Sequence, residues 1–196
     1  MVIGELNANK RQADAMAALA VMDHRDAQLV FLGVGRERLP LETLARERGL
    51  ADRVHFGGLV EDVRPTLLGS TSLITTSKRE GLSRSEMEAL ALEIPVVASS
   101  ARGNEELVGE DGFVVETGDA RALAGVMDWL IEHPAEQRAF GRRGRQRMVD
   151  RYDLQHLIEC HAALYAGMLA ERVDRHRPVP VCAPQDPRRR PPSSCR

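Results

Sequence analysis

The stretch SKREGLSRSEMEALALEIPVVASSARGNEEL, residues 77–107, holds a loop, a helix and a strand in quick succession. Ser83-Arg84-Ser85-Glu86 has the S-x-x-E form of a capping box, so a helix is expected over 84–93, starting just after Ser83. Val96-Val97-Ala98 after Pro95 is continuously apolar rather than alternating, which marks a strand buried on both faces. Glu80 and Gly81 then fall in the loop before the helix, where the amides of Leu82, Ser83 and Arg84 point outward. Such a helix end carries roughly half a positive charge and draws anions. Glu88 lies five residues past the cap, about 7.5 Å along the axis. A carboxylate accepts two hydrogen bonds and so suits a vicinal diol. Two carboxylates flanking an anion site fit a ligand with sugar on both sides of a diphosphate, such as a nucleotide sugar. On spacing alone, two solvated charges are the better reading. Spacing also leaves open a glycosidase pair, whose carboxylate separation no offset along a chain can fix.

Outward from that stretch the same alternation repeats. Short apolar runs at 2–6, 28–33, 54–56, 72–75, 96–99 and 112–115 read as buried strands. Amphipathic segments at 11–22, 41–49, 84–93 and 119–133 read as the helices between them. Strand–helix repetition predicts βαβ crossovers, and hence a Rossmann-like α/β domain with a parallel sheet and helices on both faces. Two further helices, near 135–150 and 153–170, follow without a strand, the second with Leu154, Leu157, Ile158, Ala162, Tyr165 and Met168–Leu169 on one face. The domain is expected to span 1–171. From 172 the composition turns to Arg and Pro, ending HRPVPVCAPQDPRRRPPSSCR, and 172–196 reads as a disordered tail. Its basic run is better read as a solvated appendage than as a phosphate or acidic-partner contact.

Composition removes other function classes. The 196 residues carry a net charge of −2 and only 4% aromatic side chains, so no global basic field points to nucleic acid and few stacking platforms exist for bases. Cys160, Cys182 and Cys195 are odd in number and scattered, which does not make a disulfide framework, and a reducing cytoplasmic setting is the default. No apolar run is long enough to span a bilayer. His156, Cys160 and His161 lie close on one helix, but three ligands without a fourth are a poor metal site, and no metal is expected.

The segment REGLSRSEMEALALEIPVVAS closely resembles the E-x7-E segment in the C-terminal, donor-binding domain of family 4 retaining glycosyltransferases. VIGELNANKRQADAMAALA resembles that domain's opening strand, phosphate loop and first helix. LVFLGVGRERLPLETLARERGLADRVHFGGLVEDVRPTL and SARGNEELVGEDGFVVETGDARALAGVMDWL resemble the units that follow, and the likeness covers nearly all of 2–169. The resemblance implies one half of a GT-B fold, a nucleoside-diphosphate sugar as donor substrate, and no cofactor or metal. By it, Glu80 contacts the donor sugar hydroxyls, Glu88 the ribose hydroxyls and Lys10 the diphosphate, with Gly81, Leu82 and Ser83 adding backbone amides. Gly58, Leu59 and Val60 would line the base pocket, and Glu80 and Lys10 are the residues implied in catalysis.

Three departures from the family pattern stand out. Many relatives have Arg five residues before the phosphate Lys, where this chain has Glu5. Relatives commonly have Gly where this chain has Glu93, so local strain or a differently shaped helix end is expected there. The family's N-terminal domain, which supplies the saccharide or lipid-linked acceptor site, does not precede this sequence, which therefore reads as a fragment or truncated frame. The resemblance implies a role in polysaccharide or glycolipid synthesis and, with the cytoplasmic setting read from the cysteines, leaves open peripheral association at the inner face of the membrane. A non-catalytic nucleotide-sugar-binding module or remnant is the main alternative; a GT-B sugar epimerase is weaker, because no acid or His cluster for proton abstraction stands out. Deleting residues 177–196 is expected to leave the melting temperature nearly unchanged in a thermal scan, since that segment offers no apolar face; a large drop would mean that it packs on the domain.

Overall fold

The computed structural model describes Met1–Val173; of the expected disordered tail, 172 and 173 belong to the last helix, and 174–196 lie outside the described residues. Six strands are present: β1 (Val2–Ile3), β2 (Leu29–Leu32), β3 (Val54–Gly58), β4 (Leu73–Thr75), β5 (Val96–Ser99) and β6 (Phe113–Val115). Between and after them run α1 (Gln12–Val21), α2 (Arg38–Glu47), α3 (Arg64–Leu68), α4 (Arg84–Ala91), α5 (Asn104–Val108), α6 (Ala120–Glu132), α7 (Pro134–Tyr152) and α8 (Leu154–Val173). The six expected strands are all found, within a few residues of their expected ends. Two five-residue helices, α3 and α5, went unseen in the sequence because a single turn is too short to show a 3.6-residue period. Helix α2 starts at Arg38, ahead of the expected position, because Pro40 sits in its first turn, where a missing N–H leaves no bond unmade.

The strands form two parallel ladders, β3-β2-β1 and β4-β5-β6. The Ile74 N–H donates to the Met1 carbonyl at 2.7 Å, which sets β4 beside β1 and puts the strands in the doubly wound order 3-2-1-4-5-6. Both ladders share one core. Phe31 and Leu29 of β2, Ile74 of β4 and Val97 of β5 pack with Met16 and Leu19 of α1 and Leu123, Met127 and Leu130 of α6, all buried. Phe31 also stacks on Phe56 of β3, with ring centroids 5.2 Å apart. A fully buried side chain of this size contributes about 1.5–3 kcal/mol relative to exposure. Asp119 starts α6 as a true N-cap, accepting from the amides of Arg121 and Ala122.

This compact unit comprises Met1–Arg145, and a second begins at Gln146 within α7. In the second, Leu154, Leu157, Ile158, Tyr165, Met168 and Leu169 of α8 are each at least half exposed.

The departure at Glu93 has the expected consequence. Helix α4 ends at Ala91, and Glu93 adopts φ 62°, a left-handed conformation that costs a non-glycine residue about 1–2 kcal/mol. Neighbouring groups hold it there: Gly141 lies so close that a Cβ would stand 1.9 Å from the Glu93 carbonyl oxygen, and an Arg145 guanidinium N–H donates to the Ala91 carbonyl. Glu93→Gly is expected to raise stability by about 0.5–1 kcal/mol in urea unfolding, as relief of strain exceeds the added chain entropy. Destabilisation would show that the Glu93 side chain, 4.0 Å from Arg145, contributes more than its exposed position suggests.

Candidate functional site

In an open parallel sheet, ligands settle outside the carboxyl ends of the strands, at the point where the strand order reverses. Here that point lies between β1 and β4, and the loops leaving them are 4–11 and 76–83. Backbone and short polar side chains tie the two loops together. The Lys78 N–H donates to the Asn9 carbonyl at 2.8 Å, and the Asn9 side-chain amide donates to the Arg79 carbonyl at 3.0 Å. The Thr76 hydroxyl donates to the Lys10 and Arg11 carbonyls at 2.7 and 3.0 Å. Asn7 Oδ1 accepts from the amides of Asn9 and Lys10, which closes the first loop as a local turn.

This stitching brings together two residues seventy positions apart. Lys10 Nζ donates to Glu80 Oε1, and the Ser77 hydroxyl donates to the same oxygen at 2.7 Å. Ser77 is itself fully buried, and its carbonyl accepts from Ser99 Oγ at 2.7 Å, so the Glu80 carboxylate rests on a fixed support. The Lys10 stem lies against Gly4, where a Cβ would stand 3.4 Å from Lys10 Cε. Both members of the pair stay partly open, at 23% and 12% side-chain exposure.

Past Glu80, Gly81 and Leu82 are exposed and Ser83 is the extended N-cap of α4, as expected. The capping box itself is not made. Ser83 Oγ sits 3.2 Å from Ser85 Oγ and makes no cap hydrogen bond, while Glu86 turns inward and is fully buried. Gly103, at the start of α5, comes so close to this loop that a Cβ would stand 1.9 Å from the Gly81 carbonyl oxygen; with φ 97° the position admits glycine alone. Glu88 lies further along α4 with its side chain 42% exposed, 3.9 Å from Arg84, and so is not brought into the Lys10–Glu80 pair. On the other side of β1, a mainly apolar cavity of about 270 Å³ opens at the ends of β1, β2 and β3. Leu59 and Val60 line it with Gly4, Glu5, Val34 and Val63; Gly58, at φ 70°, makes the turn that sends Leu59 there. Glu5 is exposed at this cavity. Among the described residues no cluster of three or more metal-binding side chains exists, so His156, Cys160 and His161 do not form one. None of the described helices is long and apolar enough to cross a membrane.

The family model described as glycosyl transferases group 1 matches residues 1–147. The chain belongs to this family. Among its relatives, the MMP alpha-(1->4)-mannosyltransferase of Mycolicibacterium hassiacum is 34% identical over 161 residues, 80% of this chain and 39% of that protein. The lipopolysaccharide core biosynthesis glycosyltransferase LpsE of Rhizobium meliloti is 29% identical over 141 residues, 71% of this chain and 42% of its own length. The chain thus spans about two fifths of the length of these curated relatives. HepE of Anabaena, solved in complex with UDP and glucose, superposes with a TM-score of 0.75 at 26% identity, covering 83% of this chain and 48% of that one. The fold is one half of a GT-B glycosyltransferase, and the family provides transferases.

Sequence reasoning missed the inward turn of Glu86. The residue was visible, but the S-x-x-E pattern assigned it to the helix cap. Both its carboxylate oxygens are buried without a hydrogen-bond partner. Burial pushes its pKa from 4.5 up to about 7; the Thr75 and Ser83 hydroxyls and Lys10 pull it down, though neither hydroxyl reaches it in hydrogen-bonding geometry, and Glu80 adds to the rise. The folded protein therefore binds one proton more than the unfolded chain between pH 4.5 and about 7. This contribution favours folding most below pH 4.5 and declines as pH rises to about 7, by about 3 kcal/mol in all. Glu86→Gln is expected to flatten that part of the pH–stability curve in denaturant titrations and to exceed the parent in stability above pH 7. An unchanged curve would mean that Glu86 is not the buried titrating group.

Proposed function

We propose that this chain is the donor-binding half of a retaining, family 4 glycosyltransferase that takes its sugar from a nucleoside diphosphate. The observation that carries the reading is the Lys10–Glu80 pair, held at the strand-order switch beside the N-terminus of α4. A diphosphate there would meet the Lys10 ammonium and the amides of Gly81, Leu82 and Ser83. Glu80, released from Lys10 by the incoming anion, would accept from the hydroxyls of the transferred sugar. Glu88, which has only a distant Arg84 contact, would accept from the ribose diol, and the cavity by Leu59 and Val60 would take the base.

The chemistry follows from this placement. Departure of a nucleoside diphosphate develops negative charge, and a lysine and oriented amides stabilise it without reorganising at the moment of reaction. No metal ligand is part of this reading. The acceptor, a saccharide or lipid-linked saccharide, would be supplied by the remainder of a two-domain enzyme, and retention would place its attack on the face that the leaving group vacates. Relatives named for mannosyl transfer and lipopolysaccharide core synthesis support a role in polysaccharide or glycolipid assembly; the complete enzyme would work at the cytoplasmic face of a membrane. The second reading is a nucleotide-sugar-binding module without catalysis. It predicts donor binding without transfer when the chain is joined to an acceptor domain.

Lys10→Ala is expected to weaken nucleoside diphosphate binding by about 1.5–3 kcal/mol in calorimetric titration, and to affect the free nucleoside far less. Equal loss for both would remove Lys10 from the phosphate. Glu88→Ala should weaken nucleoside diphosphate and nucleotide sugar alike, because both contain ribose. Glu80→Ala should spare the diphosphate and lose affinity for the sugar-bearing donor. If both variants bind both ligands like the parent, the assignment of the two carboxylates is wrong.

A further inference from the structure

We propose that Glu86 is a proton-linked positioning residue of the donor site: with its carboxyl neutral, Lys10 and the α4 N-terminus meet the diphosphate at full strength, and its ionisation weakens that grip. This inference rests on the donor-site reading above. Its basis is placement. Glu86 is fully buried in the first turn of α4, and neither oxygen has a hydrogen-bond partner. A carboxylate in that state is strongly disfavoured unless neutralised, and an apolar side chain would fill the same space at lower cost.

The charged groups that act on Glu86 are the two members of the donor-site pair, Glu80 opposing its ionisation and Lys10 favouring it. Of the other elements packed against α4, α7 brings Arg145, which lies at the far end of the helix by Ala91 and Glu93 and does not act on Glu86. β4 offers the Thr75 hydroxyl and α5 offers Asn104, a buried neutral amide, while Glu105 and Glu106 of α5 are exposed. On α4 itself, Arg84 is 91% exposed and Glu88 pairs outward with it. Ionised Glu86 adds a second negative charge behind Glu80 and competes with the diphosphate for Lys10.

Coupling of this kind is reciprocal. A dianionic ligand on Lys10 raises the proton affinity of Glu86, so donor binding takes up a proton near neutrality, where burial has already placed this group. Donor affinity then falls as pH rises through about 7. In Glu86→Gln, a neutral isostere, affinity stays at the low-pH value throughout.

The test has two arms on the full chain. In the first, the Glu86 carboxyl carbon is followed by NMR across the pH range. Its midpoint is expected near neutrality, moving down in Glu80→Gln and up in Lys10→Met; a midpoint in the ordinary carboxylate range, or one that neither substitution moves, overturns the proposal. In the second, UDP-glucose and GDP-mannose are titrated calorimetrically, because their diphosphate diesters carry no group that titrates near neutrality. Affinity is expected to fall about fivefold between about pH 6 and about pH 8, the part of a tenfold, one-unit coupling that this range samples, and to be flat in Glu86→Gln. Binding that is equally pH-dependent in both proteins, or flat in the parent, overturns the inference and leaves the donor site standing. Binding of neither nucleotide sugar at any pH counts against the donor site and takes this inference with it.

Discussion

The site depends on the adjacency of β1 and β4. The hydrogen bond from Ile74 to the Met1 carbonyl sets the two ladders side by side, and the strand order reverses there. Crossovers on either side of that line carry the chain away in opposite directions, so the loops after β1 and β4 face each other across a crevice. Asn9, Thr76 and Lys78 then fasten one loop to the other through backbone carbonyls, which fixes where Lys10 and Glu80 can be. A charged pair at a solvent-exposed loop would contribute little and wander. This one is supported from below by Ser77 and Ser99 and is held where a helix N-terminus adds to the field.

Much of this is legible in the sequence, and the parts that are not have physical causes. The six strands announce themselves because parallel strands buried on both faces are continuously apolar, as in Leu29–Leu32 and Val96–Ser99. Helix α6 carries its own start signal in Asp119. The pairing of Lys10 with Glu80 is not legible from spacing, because it follows from which strands are neighbours, and only the likeness to a known family put both residues in one site before the fold was seen. Glu88 remains where its helix position places it, along α4 and away from that pair.

Local sequence rules fail at Arg11, the N-cap of α1 at φ 48°, and at two places around α4, one in its first turn and one just past its end. Glu86 matches the capping box yet makes no cap, since its position in the turn faces the sheet and burial prevails over a surface hydrogen bond. Glu93 takes a backbone conformation suited to glycine, held by the close packing of Gly141. Natural sequences tolerate such conflicts where surrounding structure over-determines the conformation, and they tend to collect near functional sites. The two around α4 bracket the helix whose N-terminus faces the proposed diphosphate.

The central claim is that the crevice between β1 and β4 is where a nucleotide sugar binds. A crystal structure of the chain with a bound nucleoside diphosphate sugar tests it most directly. The account predicts the diphosphate against Lys10 and the α4 N-terminus, the ribose at Glu88, the sugar at Glu80 with the Lys10–Glu80 pair opened, and the base by Leu59 and Val60. Density for the nucleotide elsewhere, with Lys10 still paired to Glu80, would contradict it.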